Sequence, residues 1–287
     1  MHLPQTRTRS TRFAPNRSTD RGDRVVREGE TDALVVSALS VRFGGISALD
    51  GVSLTVRSGE ICGLIGANGA GKTTLFDVIS GVRVPDEGRV QLHGRDVTRA
   101  SPQRRARAGL RRTFQRVQVF GWLSVEDNLL AATEWRGGGG GVLADLIASP
   151  TRRRREFDRR QRASAVLERC GLSSIADMPA SGLPIGTSRL VELGRALVDE
   201  PSVLLLDEPA SGLDAREAER FASLVRSTRD EFGTAVLLVE HDVGFVLANC
   251  DRVVVLHLGR VLAEGSPDEI RDDPAVREAY LGAASTS

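Results

Sequence analysis

Gly66-Ala67-Asn68-Gly69-Ala70-Gly71-Lys72-Thr73-Thr74 decides how this chain is read. The five residues before it, Ile61 to Ile65, form an apolar run of strand length. After it, Leu75, Phe76, Val78 and Ile79 recur at helical spacing until Gly81 supplies a helix stop. Strand, glycine loop and helix are the context in which G-x-x-x-x-G-K-[ST] cradles a polyphosphate. Glycines at 66, 69 and 71 let successive backbone N–H groups, those of Asn68, Ala70 and Thr74 among them, turn inward around phosphate oxygens. The helix start adds its dipole, Lys72 reaches the β- and γ-phosphates, and the Thr73 hydroxyl is a ligand for Mg²⁺.

Composition sharpens this. Of the 39 Lys and Arg residues, Lys72 is the sole lysine. A sequence so biased towards arginine keeps a lysine where a compact ammonium fits and a planar guanidinium does not. The longest apolar runs (Val203–Leu206, Ala235–Val239, Val253–Leu256) are strand-sized, far short of the ~18 residues of a bilayer-spanning helix. Three widely spaced cysteines, Cys62, Cys170 and Cys250, form no CxxC pair and read as small buried apolar residues in a reducing compartment. Residues 1–30 are rich in Arg, Ser and Thr and poor in large apolar groups. They are expected to form a disordered basic tail preceding a domain over 31–287.

A second apolar run, Val203-Leu204-Leu205-Leu206, ends in Asp207-Glu208-Pro209. Its apolar character suits a central parallel strand buried on both faces. Asp207 then stands at the C-terminal end of that strand, where α/β sheets bind ligands, and can hold Mg²⁺ through water. Glu208 is the candidate general base for an attacking water.

With these two elements about 130 residues apart, the sequence resembles the ATP-binding subunits of ABC transporters over roughly residues 34–284. The resemblance assigns further roles. Thr113-Phe114-Gln115 matches the Q-loop, with Gln115 sensing Mg²⁺, the γ-phosphate and the water. Ser211-Gly212-Leu213-Asp214 matches the D-loop, with Asp214 at a dimer interface. Val239-Glu240-His241-Asp242 matches the H-loop, with His241 on the γ-phosphate, and Phe43 sits where the family sets an aromatic ring against adenine. The implied fold is α/β: a P-loop NTPase (RecA-like) core, an antiparallel β subdomain (strands near 34–43, 51–56 and 89–93) and a helical subdomain at about 118–198. The implied ligands are ATP and Mg²⁺, and catalysis is assigned to Lys72, Gln115, Glu208 and His241.

The signature segment departs from the family. Leu183-Pro184-Ile185-Gly186-Thr187 stands where LSGGQ is usual, so Pro184 replaces the serine that meets the partner's nucleotide. Gly186 remains at the start of a helix with apolar Leu190, Val191, Leu193, Leu197 and Val198. Its backbone N–H groups can still face an anion, with Thr187 or Ser188 as hydroxyl donors.

Two segments narrow the subfamily. Arg112-Thr113-Phe114-Gln115 and the C-terminal stretch Gly265 to Gly282 are similar to ATPases of branched-chain amino acid importers. The lipopolysaccharide-export ATPases share the second pattern, and a nucleic-acid maintenance ATPase is a third class. The resemblance implies integral-membrane permease subunits, a second ATP-binding subunit, an extracytoplasmic solute-binding protein, no nucleic acid, and a place on the cytoplasmic face of the membrane. Val119, Phe120 and Trp122 are the candidate docking surface for a permease. Gly137–Gly141 read as a flexible loop, and Arg152–Arg155 with Arg159 and Arg160 as a solvated helix face.

Overall fold

The computed structural model describes residues 31–133 and 150–284. The expected basic tail and the glycine run therefore lie outside the described residues.

Alternation of side chains across pleated strands organises the molecule. In chain order come β1 (Asp32–Phe43), β2 (Ile46–Arg57), β3 (Ile61–Ile65), α1 (Lys72–Ser80), β4 (Glu87–Leu92), β5 (Arg95–Asp96), α2 (Pro102–Arg107), β6 (Leu110–Arg112), α3 (Val125–Thr133), α4 (Pro150–Arg169), α5 (Ile185–Leu197), β7 (Val203–Asp207), α6 (Ala215–Phe232), β8 (Ala235–Val239), α7 (Val243–Asn249), β9 (Arg252–His257), β10 (Arg260–Gly265), α8 (Pro267–Asp272) and α9 (Pro274–Ala284). Six strands form one sheet in the order β10-β9-β3-β8-β7-β6, parallel apart from the β10–β9 edge pair. Strands β3, β7 and β8 are buried at every residue, which is why they read as unbroken apolar runs.

Each face of that sheet has its own core. Ile61, Ile65, Leu204, Leu206, Val236, Leu238, Val253 and Val255 pack with α3, α4, α5 and α6. Their neighbours Cys62, Leu64, Val203, Leu205, Ala235, Leu237, Val254 and Leu256 face the other way. They pack with Leu75, Phe76, Val78 and Ile79 of α1 and with the second sheet. That second sheet is antiparallel, in the order β2-β1-β4-β5. Its strands cover the positions expected from the sequence, but β2 begins at Ile46, earlier than the expected 51. A buried ion cluster ties the sheets together: Arg252 on β9 bonds Glu60 at 2.6 Å and Glu264 at 2.8 Å, and also the carbonyl of Thr55 on β2.

Helices α3, α4 and α5 occupy the region read as helical from the sequence. The Ser124 hydroxyl accepts from the Asp127 backbone N–H at 3.0 Å, capping α3 where the Ser-x-x-Asp pattern suggests. The arginines of α4 divide. Arg160 is exposed and pairs with Glu156 and Glu126, as expected of a solvated face. Arg159 instead turns inward, its Nη2 donating to the Leu130 carbonyl at 3.0 Å and its Nε to the Thr133 hydroxyl at 2.9 Å. It thereby ties α4 to the last described turn of α3. No helix among the described residues is long and apolar enough to cross a membrane.

Candidate functional site

The parallel strands β3, β7 and β8 end on the same side, and the loops that follow them surround one cleft of about 330 Å³. Lys72, Thr73, Gln115, Glu208 and His241 all line it, with the loop residues Asn68 to Gly71 and with Thr74 and Ala48. At the head of α1, Gly71 has φ 105° and a Cβ there would stand 2.5 Å from the Ala48 carbonyl. A side chain is excluded on both counts, so the loop can turn into the helix only through glycine. Lys72 is 7% exposed, and its Nζ donates to the carbonyls of Gly66 at 2.6 Å and Ala67 at 3.1 Å. Desolvation lowers the pKa of its ammonium, while the Glu208 and Asp207 carboxylates pull the other way.

Glu208 is the hub of the cleft's mouth. Gln115 Nε2 donates to its Oε2 at 2.8 Å, and His241 Nε2 bonds its Oε1 at 2.7 Å. Three residues distant in sequence thus meet on one carboxylate. Glu208 holds φ at 48°, the left-handed region, at a cost of about 1–2 kcal/mol for a residue with a Cβ. The strain is held by flanking bonds, from the Glu208 N–H to Val239 O at 2.9 Å and from the Ser211 N–H to Glu208 O at 3.2 Å.

Asp207 stands one residue behind, 6% exposed, with Oδ2 held by Arg112 Nη2 at 2.9 Å. Among the described residues no group of three or more His, Cys, Asp or Glu side chains could hold a metal ion. The donor set is instead one hydroxyl (Thr73), one carboxylate (Asp207) and one amide (Gln115). Such oxygen donors suit an ion that keeps water and takes its remaining ligands from phosphate, as Mg²⁺ does.

Other expected residues lie apart from this cleft. Phe43 ends β1, is 47% exposed, and carries the Arg83 guanidinium 4.0 Å from its ring centroid. One face of the ring expected to meet adenine thus carries a cation. Gly186 lies in the first turn of α5, and a Cβ on it would stand 2.1 Å from Glu217 Oε1. That carboxylate belongs to the capping box of α6, whose N-cap is Asp214. The start of the signature helix thus packs against the D-loop cap, outside the cleft that Lys72 lines. Of the two candidate hydroxyls, Ser188 is buried and donates to the Leu183 carbonyl at 3.4 Å, whereas Thr187 is half-buried.

Several residues that hold this geometry escaped the sequence reading. On α5, Arg189 donates to the carbonyls of Phe114 at 3.1 Å and Gln115 at 2.7 Å. Glu192, one turn on, accepts from the Phe114 N–H at 3.3 Å. Arg195 bonds the Gln118 carbonyl. The segment from 114 to 118 is therefore strapped to the signature helix. Burial raises the pKa of Glu192 above the ordinary carboxylate range, against the opposing pull of these bonds and of Arg189. Glu240 is likewise buried and raised; it accepts from the Ala210 N–H at 2.6 Å and ties the loop after β7 to the loop after β8. The one available signal was an acid set among the apolar positions of a helix or at the end of a buried strand.

The ABC transporter family profile matches residues 49–211, more than half the chain. The chain belongs to the ABC transporter family. A profile described as branched-chain amino acid ATP-binding cassette transporter matches residues 260–285 of this family member. It is 41% identical over 251 residues to the high-affinity branched-chain amino acid transport ATP-binding protein LivG of Salmonella typhimurium, covering 88% of this chain and 98% of that one. It is 40% identical over 231 residues to the lipopolysaccharide export system ATP-binding protein LptB of Acidithiobacillus ferridurans, covering 80% and 89%. The crystal structure of MJ1267, an ATP-binding cassette of an ABC transporter in its ADP conformation, superposes with TM-score 0.75 at 33% identity, covering 88% of this chain and 99% of that one. As a member of this family the chain is an ATP-binding, ATP-hydrolysing subunit with a P-loop NTPase fold.

Proposed function

We propose that this subunit powers uptake of branched-chain amino acids or related small polar solutes. The reading is supported by the match of residues 260–285 to the branched-chain profile and by the likeness to LivG. Its partners are integral-membrane permeases, a second ATP-binding subunit and an extracytoplasmic solute-binding protein, and it works on the cytoplasmic face of the membrane. Trp122 is 82% exposed and packs 6.0 Å from the ring of Phe120, which itself lies under Arg195. This is the surface we assign to a permease segment, with Val119 half-buried beneath it against the core.

The observation that carries the catalytic assignment is the convergence of Gln115 and His241 on the Glu208 carboxylate. In this mechanism the loop amides and Lys72 bind the triphosphate, and Lys72 exchanges its bonds to Gly66 O and Ala67 O for phosphate oxygens. Glu208 accepts the proton of the attacking water, His241 and Gln115 fix the position of its carboxylate, and Asp207 with Thr73 and Gln115 holds the ion. Bound Mg²⁺ supplies charge neutralisation on the phosphate oxygens. Gly186 and Asp214 complete the site of a facing subunit, with backbone N–H groups of α5 and Thr187 doing the work of the missing signature serine.

The test is reconstitution of the subunit with its permeases in vesicles and measurement of ATP-driven uptake of radiolabelled leucine. Uptake that vanishes with Lys72→Ala supports the proposal. ATP-dependent extraction of lipopolysaccharide without uptake assigns the subunit to export instead.

A further inference from the structure

Arg112, the last residue of β6, entered the sequence reading only as part of a subfamily-like segment, yet its side chain joins Asp207 of the site to helix α1. Its side chain is 9% exposed. One arm of the fork, Nη2, donates to Asp207 Oδ2 at 2.9 Å. The other, Nη1, donates to Asp77 Oδ1 at 2.7 Å and to the Ser80 hydroxyl at 3.0 Å, both on α1. The rings of Phe76 and Phe114 lie 5.6 Å and 5.3 Å from its guanidinium carbon.

We propose that Arg112 is a positioning residue that sets the distance between the two groups expected to hold Mg²⁺, the Asp207 carboxylate and the Thr73 hydroxyl. The inference rests on the proposed ion site. Its argument is geometric. Asp77 follows Thr73 by four residues on the same face of α1, so a bond to Asp77 fixes the turn that carries Thr73. The same planar group bonds Asp207, so β7 and α1 are held at one separation by a rigid fork. An ammonium has donors enough but no planar fork with two separated nitrogens, so it cannot fix that separation in the same way. Arg112 engages Oδ2, and no hydrogen bond of the described residues engages Oδ1, which is left to face an ion or its water. Because the Phe114 ring lies against the guanidinium beside Gln115, the Q-loop bears on this spacing too.

The experiment measures equilibrium binding of a fluorescent ATP analogue to the full chain in Mg²⁺ and in EDTA, for wild type, Arg112→Gln and Arg112→Lys. In the wild type, Mg²⁺ tightens binding. In Arg112→Gln that tightening should fall by about tenfold or more, the usual scale for loss of a residue orienting a metal ligand. Affinity in EDTA should change by less than about threefold, because the amides and Lys72 that grip phosphate are untouched. Should Arg112→Gln fail to bind in EDTA, Arg112→Lys carries the same comparison, with a loss of Mg²⁺ dependence of about threefold or more expected. Equal losses in Mg²⁺ and EDTA would overturn the proposal and leave Arg112 a prop for the phosphate loop. An unchanged or enlarged Mg²⁺ effect would overturn it as well, the latter showing that the guanidinium competes with the ion. A wild type indifferent to Mg²⁺ would instead remove the ion site itself.

Discussion

Removal of the Glu192 side chain tests the strap between the signature helix and the Q-loop. In Glu192→Ala, the N–H group of Phe114 loses its acceptor. Arg189, 4% exposed, loses the carboxylate 3.5 Å away, and its Nε already has no partner. A stranded buried donor costs about 1–3 kcal/mol, and an orphaned buried charge about 3–5. Arg189 keeps two carbonyl acceptors, and removal of a buried carboxylate relieves its own desolvation. The net destabilisation is therefore placed at about 2–4 kcal/mol, a fall in Tm of about 4–8 °C for a domain of this size. Gln115 keeps the Arg189 bond to its carbonyl but loses the anchor one residue before it, and its loosened alignment on Glu208 should lower kcat by about 10-fold. Nucleotide affinity should change by less than about threefold, since the phosphate loop is not part of the strap. Circular-dichroism melting, steady-state phosphate release and fluorescent-nucleotide titration read the three quantities. A variant that loses stability as expected but retains the wild-type kcat would refute the coupling of α5 to Gln115.

Three further outcomes are expected. Lys72→Ala should weaken ATP binding by at least about 100-fold in equilibrium titration, because no second lysine exists to replace the ammonium and arginine does not fit its niche. Burial raises Glu240 above its ordinary value of 4.5, so the folded protein binds that proton more tightly than the unfolded chain. Its contribution to stability must then decline as pH rises from the unfolded value through the raised folded one. The stability of wild type relative to Glu240→Gln, from denaturant midpoints, should therefore fall as pH rises above about 4.5; a rise instead would reverse the assigned cause. The three cysteines are free and buried, with the thiols of Cys62 and Cys170 pushed up to about 12 and about 11 by desolvation. A thiol reagent at neutral pH should leave the native protein unlabelled and label all three once it is unfolded.

What could be read from the sequence was local. The glycine loop and the runs around Leu64, Leu205 and Leu237 announce themselves because a phosphate cradle and a doubly covered strand are written in consecutive residues. Gln115, Glu208 and His241 could be grouped through the family pattern, although nothing in their spacing implies that they meet on one carboxylate. Residues acting across the fold stayed hidden. Arg112 lies 95 positions from Asp207 and Glu192 lies 78 from Phe114, and each is an ordinary charged residue until its partner arrives. Arg159 misled for the opposite reason: in a run of arginines, only the third dimension distinguishes the one that turns inward onto a neighbouring helix. The Arg83 guanidinium over Phe43 belongs to the same class, a contact between a loop and a strand end 40 residues apart.

The most direct test is chemical quench of radiolabelled ATP bound to Glu208→Gln with Mg²⁺. If the carboxylate between Gln115 and His241 takes the proton from water, the variant keeps the nucleotide bound and intact over many wild-type turnover times. Cleavage at the wild-type rate would mean that another group performs that step.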